Sequence, residues 1–268
     1  MFGITQKEKE AEKNKSEDQD KGKSARPAEI AAEKEIIANL PVGRTGMSRV
    51  EEELLCPSTT ENEVQSWCIF KIMAELVAGF ELLRNYNLAA TIFGSSRSDA
   101  GDDVYREAEE LARMLVGEGF AVITGGANGV MNAANKGAKD AGGKSVGLNI
   151  KLRTAQQPNA YTTVGQEFDY FFTRKLMLSF ASEVYIFFPG GFGTLDELFE
   201  IMTLIQTKKI KPLPVILVGT EYWQPLILWF THTLTERYHT IDADDMKIYH
   251  LVNSVDEAME VIKRRVQF

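Results

Sequence analysis

From about residue 61 the chain alternates two kinds of apolar pattern. ENEVQSWCIFKIMAELVAGFELLRN (61–85) has helical apolar spacing after an acidic start, whereas LAATIFG (88–94) is a short run apolar throughout and ended by glycine. The same alternation continues. An amphipathic helix is predicted over 102–118, a strand over 120–124, an Ala-rich helix over 128–142 and a strand over 144–150. After a loop come a short helix around 174–182, a strand over 183–188, a helix over 195–208, a strand over 214–219 and a helix over 222–237. Strands that are apolar on both faces need cover on both faces, so the pattern predicts an α/β fold: a Rossmann-like, doubly wound, mostly parallel sheet with helices on both sides, forming a single domain over 61–268.

The first sixty residues read differently. In residues 1–30 seven Lys and Arg face seven Asp and Glu with almost no large apolar side chains, so the segment cannot offset the entropy of ordering and reads as a charged, disordered tail. Residues 31–60 hold Ile36, Ile37 and Leu40 before Pro41, then Gly43 and Gly46, and read as a connector.

Composition narrows the function classes. The 268 residues carry 30 basic and 38 acidic side chains, a net charge of −8. That balance argues against nucleic acid or an anionic membrane as partner, because both require a basic patch to release counterions. Backbone amides can still bind a small anion. Cys56 and Cys68 form no CxxC, and the three histidines show no metal-ligand spacing, so neither a disulfide framework nor a metal is expected. The opening MFGITQKEKE turns charged before a signal-peptide core could form, and no run reaches membrane-spanning length. A reduced, cytoplasmic protein without a cofactor is expected.

In a doubly wound sheet, ligands sit beyond the carboxyl ends of the strands. The loops there hold the candidate chemistry. FGSSRS brings Gly94 and Ser95 after the first strand; small residues admit a ligand to the backbone, though the composition also suits an ordinary turn. TGGANGVM places Gly125, Gly126 and Gly129 between strand and helix, where positive φ and exposed N–H groups suit an anion site. AKDAGGKS imitates a Walker loop but runs from helix to strand, so its amides face the wrong way. FFPGGFGTLDELFE is the strongest: Gly190, Gly191 and Gly193 precede a helix predicted to open near Leu195, with Thr194 as N-cap beside unsatisfied N–H groups. The same residues form a capping box from Thr194 to Glu197, so Glu197 reads equally as a cap and as a catalyst. Upstream, in DYFFTRKLMLS, Thr173 reads as an N-cap with Arg174 and Lys175 in the first turn, where cations oppose the helix dipole. Such unfavourable placement suits a site, or else a solvated pair.

PGGFGTLDE, with TRKLM upstream and TGGANGVM before it, resembles the PGGxGTxxE, RKxxM and GGGxxGxM segments of the lonely-guy (LOG) family of cytokinin-activating phosphoribohydrolases, once labelled possible lysine decarboxylases. The resemblance spans roughly 88–260 and is nearest to the longer bacterial members. It implies hydrolysis of the N-glycosidic bond of a nucleoside 5′-monophosphate to free base and ribose 5-phosphate. It further implies Arg174 and Glu197 as the catalytic pair, with Gly190, Gly191, Gly193 and Thr194 around the phosphate. Gly125, Gly126, Gly129 and Met131 match the other glycine loop, Lys175 accompanies Arg174, and a homodimer is expected. The chain departs from the pattern at Ala127, Asn128, Asn132, Arg153 and Ala155, all on the substrate side. Two rival readings remain open: a non-catalytic nucleotide or molybdenum-cofactor carrier, and a decarboxylase whose pyridoxal-phosphate lysine could only be Lys175.

Overall fold

Seven strands of four to six residues, the five central ones almost wholly buried, form one parallel sheet in the order β4-β3-β2-β1-β5-β6-β7. In this computed structural model the residues described are 64–151 and 158–266; the tail, the connector, Arg153 and Ala155 lie outside them. The elements are α1 (Val64–Leu83), β1 (Ala89–Phe93), α2 (Asp103–Gly117), β2 (Ala121–Thr124), α3 (Val130–Asp140), β3 (Ser145–Ile150), β4 (Val164–Phe168), α4 (Phe171–Ser179), β5 (Val184–Phe187), α5 (Phe192–Gln206), β6 (Val215–Val218), α6 (Thr220–Trp229), β7 (Tyr249–Val252) and α7 (Val255–Arg265). The predicted α/β class, its parallel sheet and its single domain are present.

Successive strand residues point to opposite faces, and each face has its own core. Ala90, Ile92, Val122 and Ile186 pack with α2, α3 and α7; Phe93, Ile123, Leu148 and Phe187 pack with α1, α4, α5 and α6. Full burial of such large side chains is worth roughly 1.5–3 kcal/mol each. The Ala-rich pattern of α3 has a steric reason: a Cβ at Gly137 would strike the backbone of Glu109 on α2, so only small residues permit this approach.

Four details differ from the hydrophobic pattern. The edge strand β4 (VGQEF) buries only Phe168 fully, so its sequence shows no apolar run. The terminal pair β7 and α7 lies beyond the last element predicted. The helix expected over 222–237 is instead α6 followed by a π-helical segment, Phe230–Arg237. Finally, α4 and α5 each begin three residues before Arg174 and Leu195, at Phe171 and Phe192. Among the described residues no helix is long and apolar enough to cross a membrane.

The strand order reverses at β1 and β5, which pair directly from Ala90–Val184 to Phe93–Phe187. The chains leaving these two strands diverge, opening a crevice above their carboxyl ends. Phe93 lines that crevice and stacks on the buried Phe187 with ring centroids 4.8 Å apart.

Candidate active site

Above this switch point lies a cavity of about 840 Å³, within the range of small-ligand pockets. The PGGFGT turn forms one wall. Gly191, with extended backbone, is the N-cap of α5 and makes no side-chain cap bond. Thr194 is therefore the third helical residue, its N–H donating to the Gly191 carbonyl at 3.0 Å. The capping box from Thr194 to Glu197 is not formed: Glu197 is the sixth residue, one turn too far to reach back. The expectation erred because glycine weakens helix propensity, yet Gly193 has an ordinary helical backbone here.

The glycines of this turn have two uses. A Cβ on Gly190 would strike the Thr194 side chain, so the residue is small for the protein's own packing. A Cβ on Gly191 or Gly193 would meet nothing within 4 Å, and both residues line the cavity. The amides of Phe192 and Gly193 have no intrahelical acceptor, and the helix dipole adds positive potential there. Such a turn has the donors and the space that an anion requires.

The opposite wall is tied to it by backbone bonds. Ser95 N–H donates to the Pro189 carbonyl at 3.0 Å, and the Ser95 carbonyl accepts from Val130 N–H at 2.9 Å. Gly94 and Ser95 both line the cavity. The TGGANGVM loop contributes Gly125, Ala127 and Met131, whereas Gly126 and Gly129 do not line it. Both have positive φ, +69° and +70°, and lie against Asn149 and the Ser95 carbonyl; Gly126 N–H is already bonded to Thr124 Oγ1 at 2.9 Å. Two of the three glycines expected to bind an anion therefore serve backbone packing. Gly125 is different: its missing side chain leaves room for the Arg174 guanidinium.

Arg174 is the fourth residue of α4 and reaches into the cavity, where its Nε donates to the Leu148 carbonyl at 2.7 Å. Thr173 is not the cap predicted for this helix; Tyr170 holds that position. Burial lowers the pKa of Arg174, against the pull of Glu197, but a guanidinium starts so high that it stays charged at neutral pH. Glu197 is 5% exposed, and its Oε2 finds no hydrogen-bond partner. Burial pushes its pKa up to about 7; Arg174 and Lys175 oppose the shift, while Glu200 and Asp196 add to it. Among the described residues no ion pair joins Arg174 to Glu197. The outcome is a carboxyl in a cavity that both binds and releases a proton near neutrality, as a general acid–base group must.

Lys175 lies elsewhere. Its Nζ pairs with Asp196 at 2.8 Å and Glu200 at 3.0 Å on α5, and it does not line the cavity. Burial pulls its pKa down, but the two carboxylates outweigh burial and leave it above the ordinary lysine value. A Schiff-base lysine must be neutral to attack a carbonyl, so these residues do not fit pyridoxal phosphate. Among the substrate-side departures, Ala127 lines the cavity. Asn132 instead accepts from Tyr105 Oη at 2.6 Å.

Sequence reasoning missed Arg97, Asn149, Phe171 and Phe192, which also line the cavity. A signal existed for Phe171: it stands three residues before Arg174 on one helix face, with its ring 6.0 Å from the guanidinium carbon. Asn149 had none, because a polar residue in a buried strand gives no hint of which wall it forms.

The family described as "Possible lysine decarboxylase" matches residues 131–262. A cytokinin riboside 5′-monophosphate phosphoribohydrolase of Rhodococcoides fascians is 28% identical over 156 residues, covering 57% of this chain and 78% of the relative. A protein of Arabidopsis thaliana named "Probable cytokinin riboside 5′-monophosphate phosphoribohydrolase" is 31% identical over 150 residues, covering 54% of this chain and 73% of its own length. Among solved structures, the molybdenum cofactor binding protein of Rippkaea orientalis superimposes with a TM-score of 0.50 at 21% identity, covering 66% of this chain and 94% of that one, a likeness of fold alone. The switch-point cavity, the PGGFGTLDE turn on its wall and the extent of these matches place the chain in the LOG family, the family described as "Possible lysine decarboxylase".

Proposed function

We propose that the protein hydrolyses the N-glycosidic bond of a nucleoside 5′-monophosphate, releasing free base and ribose 5-phosphate. One observation carries this reading: Phe192, Gly193 and Glu197 line one cavity from the same helix, barely more than one turn apart, the first two with amides that lack an intrahelical acceptor and the last with an Oε2 that has no hydrogen-bond partner. The names of the relatives agree with it. A phosphate docked on the turn fixes the ribose beside Glu197. As the C1′–N bond breaks, its electron pair goes to the base nitrogen and positive charge develops on the ribose, which the carboxylate stabilises. Glu197 takes a proton from the attacking water, whose oxygen bonds to C1′, and returns that proton to the leaving base. Arg174 keeps its proton and orients the carboxylate or the base, while binding of the unreacting phosphate supplies positioning energy.

The test incubates the protein with a panel of nucleoside 5′-monophosphates and follows free base by chromatography. Glu197→Gln is expected to fold and bind nucleotide yet lose at least about a hundredfold in rate. Full activity in that variant removes Glu197 from the chemistry, and binding without release of base by the native protein assigns a carrier instead. The exposed aromatics Phe192 and Phe199 on α5 support the proposal of a homodimer, which light scattering checks.

A further inference from the structure

Resting on the reading above, we infer that α1, an element preceding the family-matched segment, positions Arg174 through Glu75, whose buried carboxyl ties down the turn leading into the helix that carries the arginine. The N-cap residue of α4, Tyr170, makes no side-chain cap bond, so no side chain of its own secures the helix start. Glu75 reaches this turn from a different helix. It is 7% exposed; its Oε1 accepts from Asp169 N–H at 2.8 Å and its Oε2 from Thr173 Oγ1 at 2.6 Å. The two contacts bracket the turn from β4 into α4 and end one residue before Arg174.

Other contacts hold α1 and α4 in register. Lys71, one turn before Glu75, pairs with Asp169 at 2.8 Å, and Lys151 approaches the same carboxylate at 3.5 Å. Further along, a Cβ on Gly79 would meet Met177 Sδ at 2.5 Å, so the two helices approach as closely as a glycine allows. Arg174 is thus set from both ends: its side chain by the Leu148 carbonyl and the residue before it by Glu75. A displacement of the first turn of α4 would move the guanidinium off its carbonyl and away from Glu197, and misplacement by about 1 Å can cost a hundredfold in rate.

The experiment uses the full chain, with Glu75→Ala, the shape-conserving Glu75→Gln, and Thr173→Val as a milder lesion should Glu75→Ala fail to fold. Two readouts are taken: hydrogen exchange of the Arg174 Nε proton by nuclear magnetic resonance, assigned by its loss in Arg174→Lys, and kcat and KM for base release. In Glu75→Ala and Thr173→Val the Nε proton is expected to exchange at least about tenfold faster, and kcat to fall about tenfold or more with KM within about twofold. Glu75→Gln, which retains an oxygen for the Asp169 amide, is expected to stay within about twofold of the native protein in both. Unchanged Nε exchange and kcat in folded Glu75→Ala or Thr173→Val overturn the inference, and reduce Glu75 to a stabilising contact. If the native protein releases base from no nucleotide, the proposed function fails, while exchange at Arg174 Nε still decides this inference.

Discussion

The two glycine-rich loops carry similar residues for different reasons, and at the residue scale that difference governs what a substitution does. Gly126 and Gly129 have positive φ and press against Asn149 and the Ser95 carbonyl, so any side chain there strains the protein itself. Gly193 has an ordinary helical backbone and faces open space inside the cavity. Gly193→Val is therefore expected to melt within a few degrees of the native protein while raising KM for the proposed nucleoside monophosphate at least about tenfold, because the methyls would occupy the proposed phosphate position. Calorimetry with saturation kinetics checks both halves; an unchanged KM removes this turn from binding. The motif was legible as a string, but the use of each glycine was not, since identical letters conceal opposite surroundings. Glu197 shows the same limit. Cap and catalyst have the same residue spacing, and only the helix start at Gly191 separates them.

Elements were legible where both faces of a strand are buried. AATIF, VYIF and VILV are apolar throughout because helices cover them above and below. Edge strands lose that signature, which is why VGQEF and YHLV passed unread. The helix after β7 did have a readable mark. Ser254 accepts from Glu257 N–H at 3.2 Å, and Glu257 returns to Asn253 N–H at 2.8 Å, a capping arrangement spelled SVDE. Ser254→Ala is expected to cost about 1 kcal/mol of stability without affecting any site property, since α7 packs on the face opposite α4 and α5. Denaturant titration measures the loss, and an unchanged midpoint shows that the cap contributes nothing.

For the whole molecule, the buried carboxyl of Glu197 links stability to pH. Its folded pKa of about 7 lies above its ordinary 4.5, so between these values the folded state retains a proton that the unfolded chain releases. Stability contributed by this group therefore falls as pH rises through that window, and the deficit, up to about 3 kcal/mol, persists above pH 7. Glu197→Gln abolishes the titration and is expected to melt higher than the native protein at pH 8, with a smaller gain at pH 5. Melting curves at both pH values test this, and equal differences at the two would show that the carboxyl is not buried as a charge. Such a cost, borne in the folded state, accords with the proton-transfer role proposed for Glu197.

By itself the amino-acid sequence determined the fold class, because short runs apolar on both faces, alternating with amphipathic runs of period 3.6, can be satisfied together only by a parallel sheet covered on both faces. It also determined which strand-to-helix loops carry glycine and charge, because chain direction alone places those loops at the carboxyl ends of the strands. Tertiary structure decided which of these residues meet. The reversal of strand order between β1 and β5 opens the cavity, Leu148 and Gly125 admit Arg174, and Asp196 with Glu200 draw Lys175 out of it. Contacts between residues dozens of positions apart, such as Glu75 with Thr173, leave no periodic trace along the chain, so only packing assigns them.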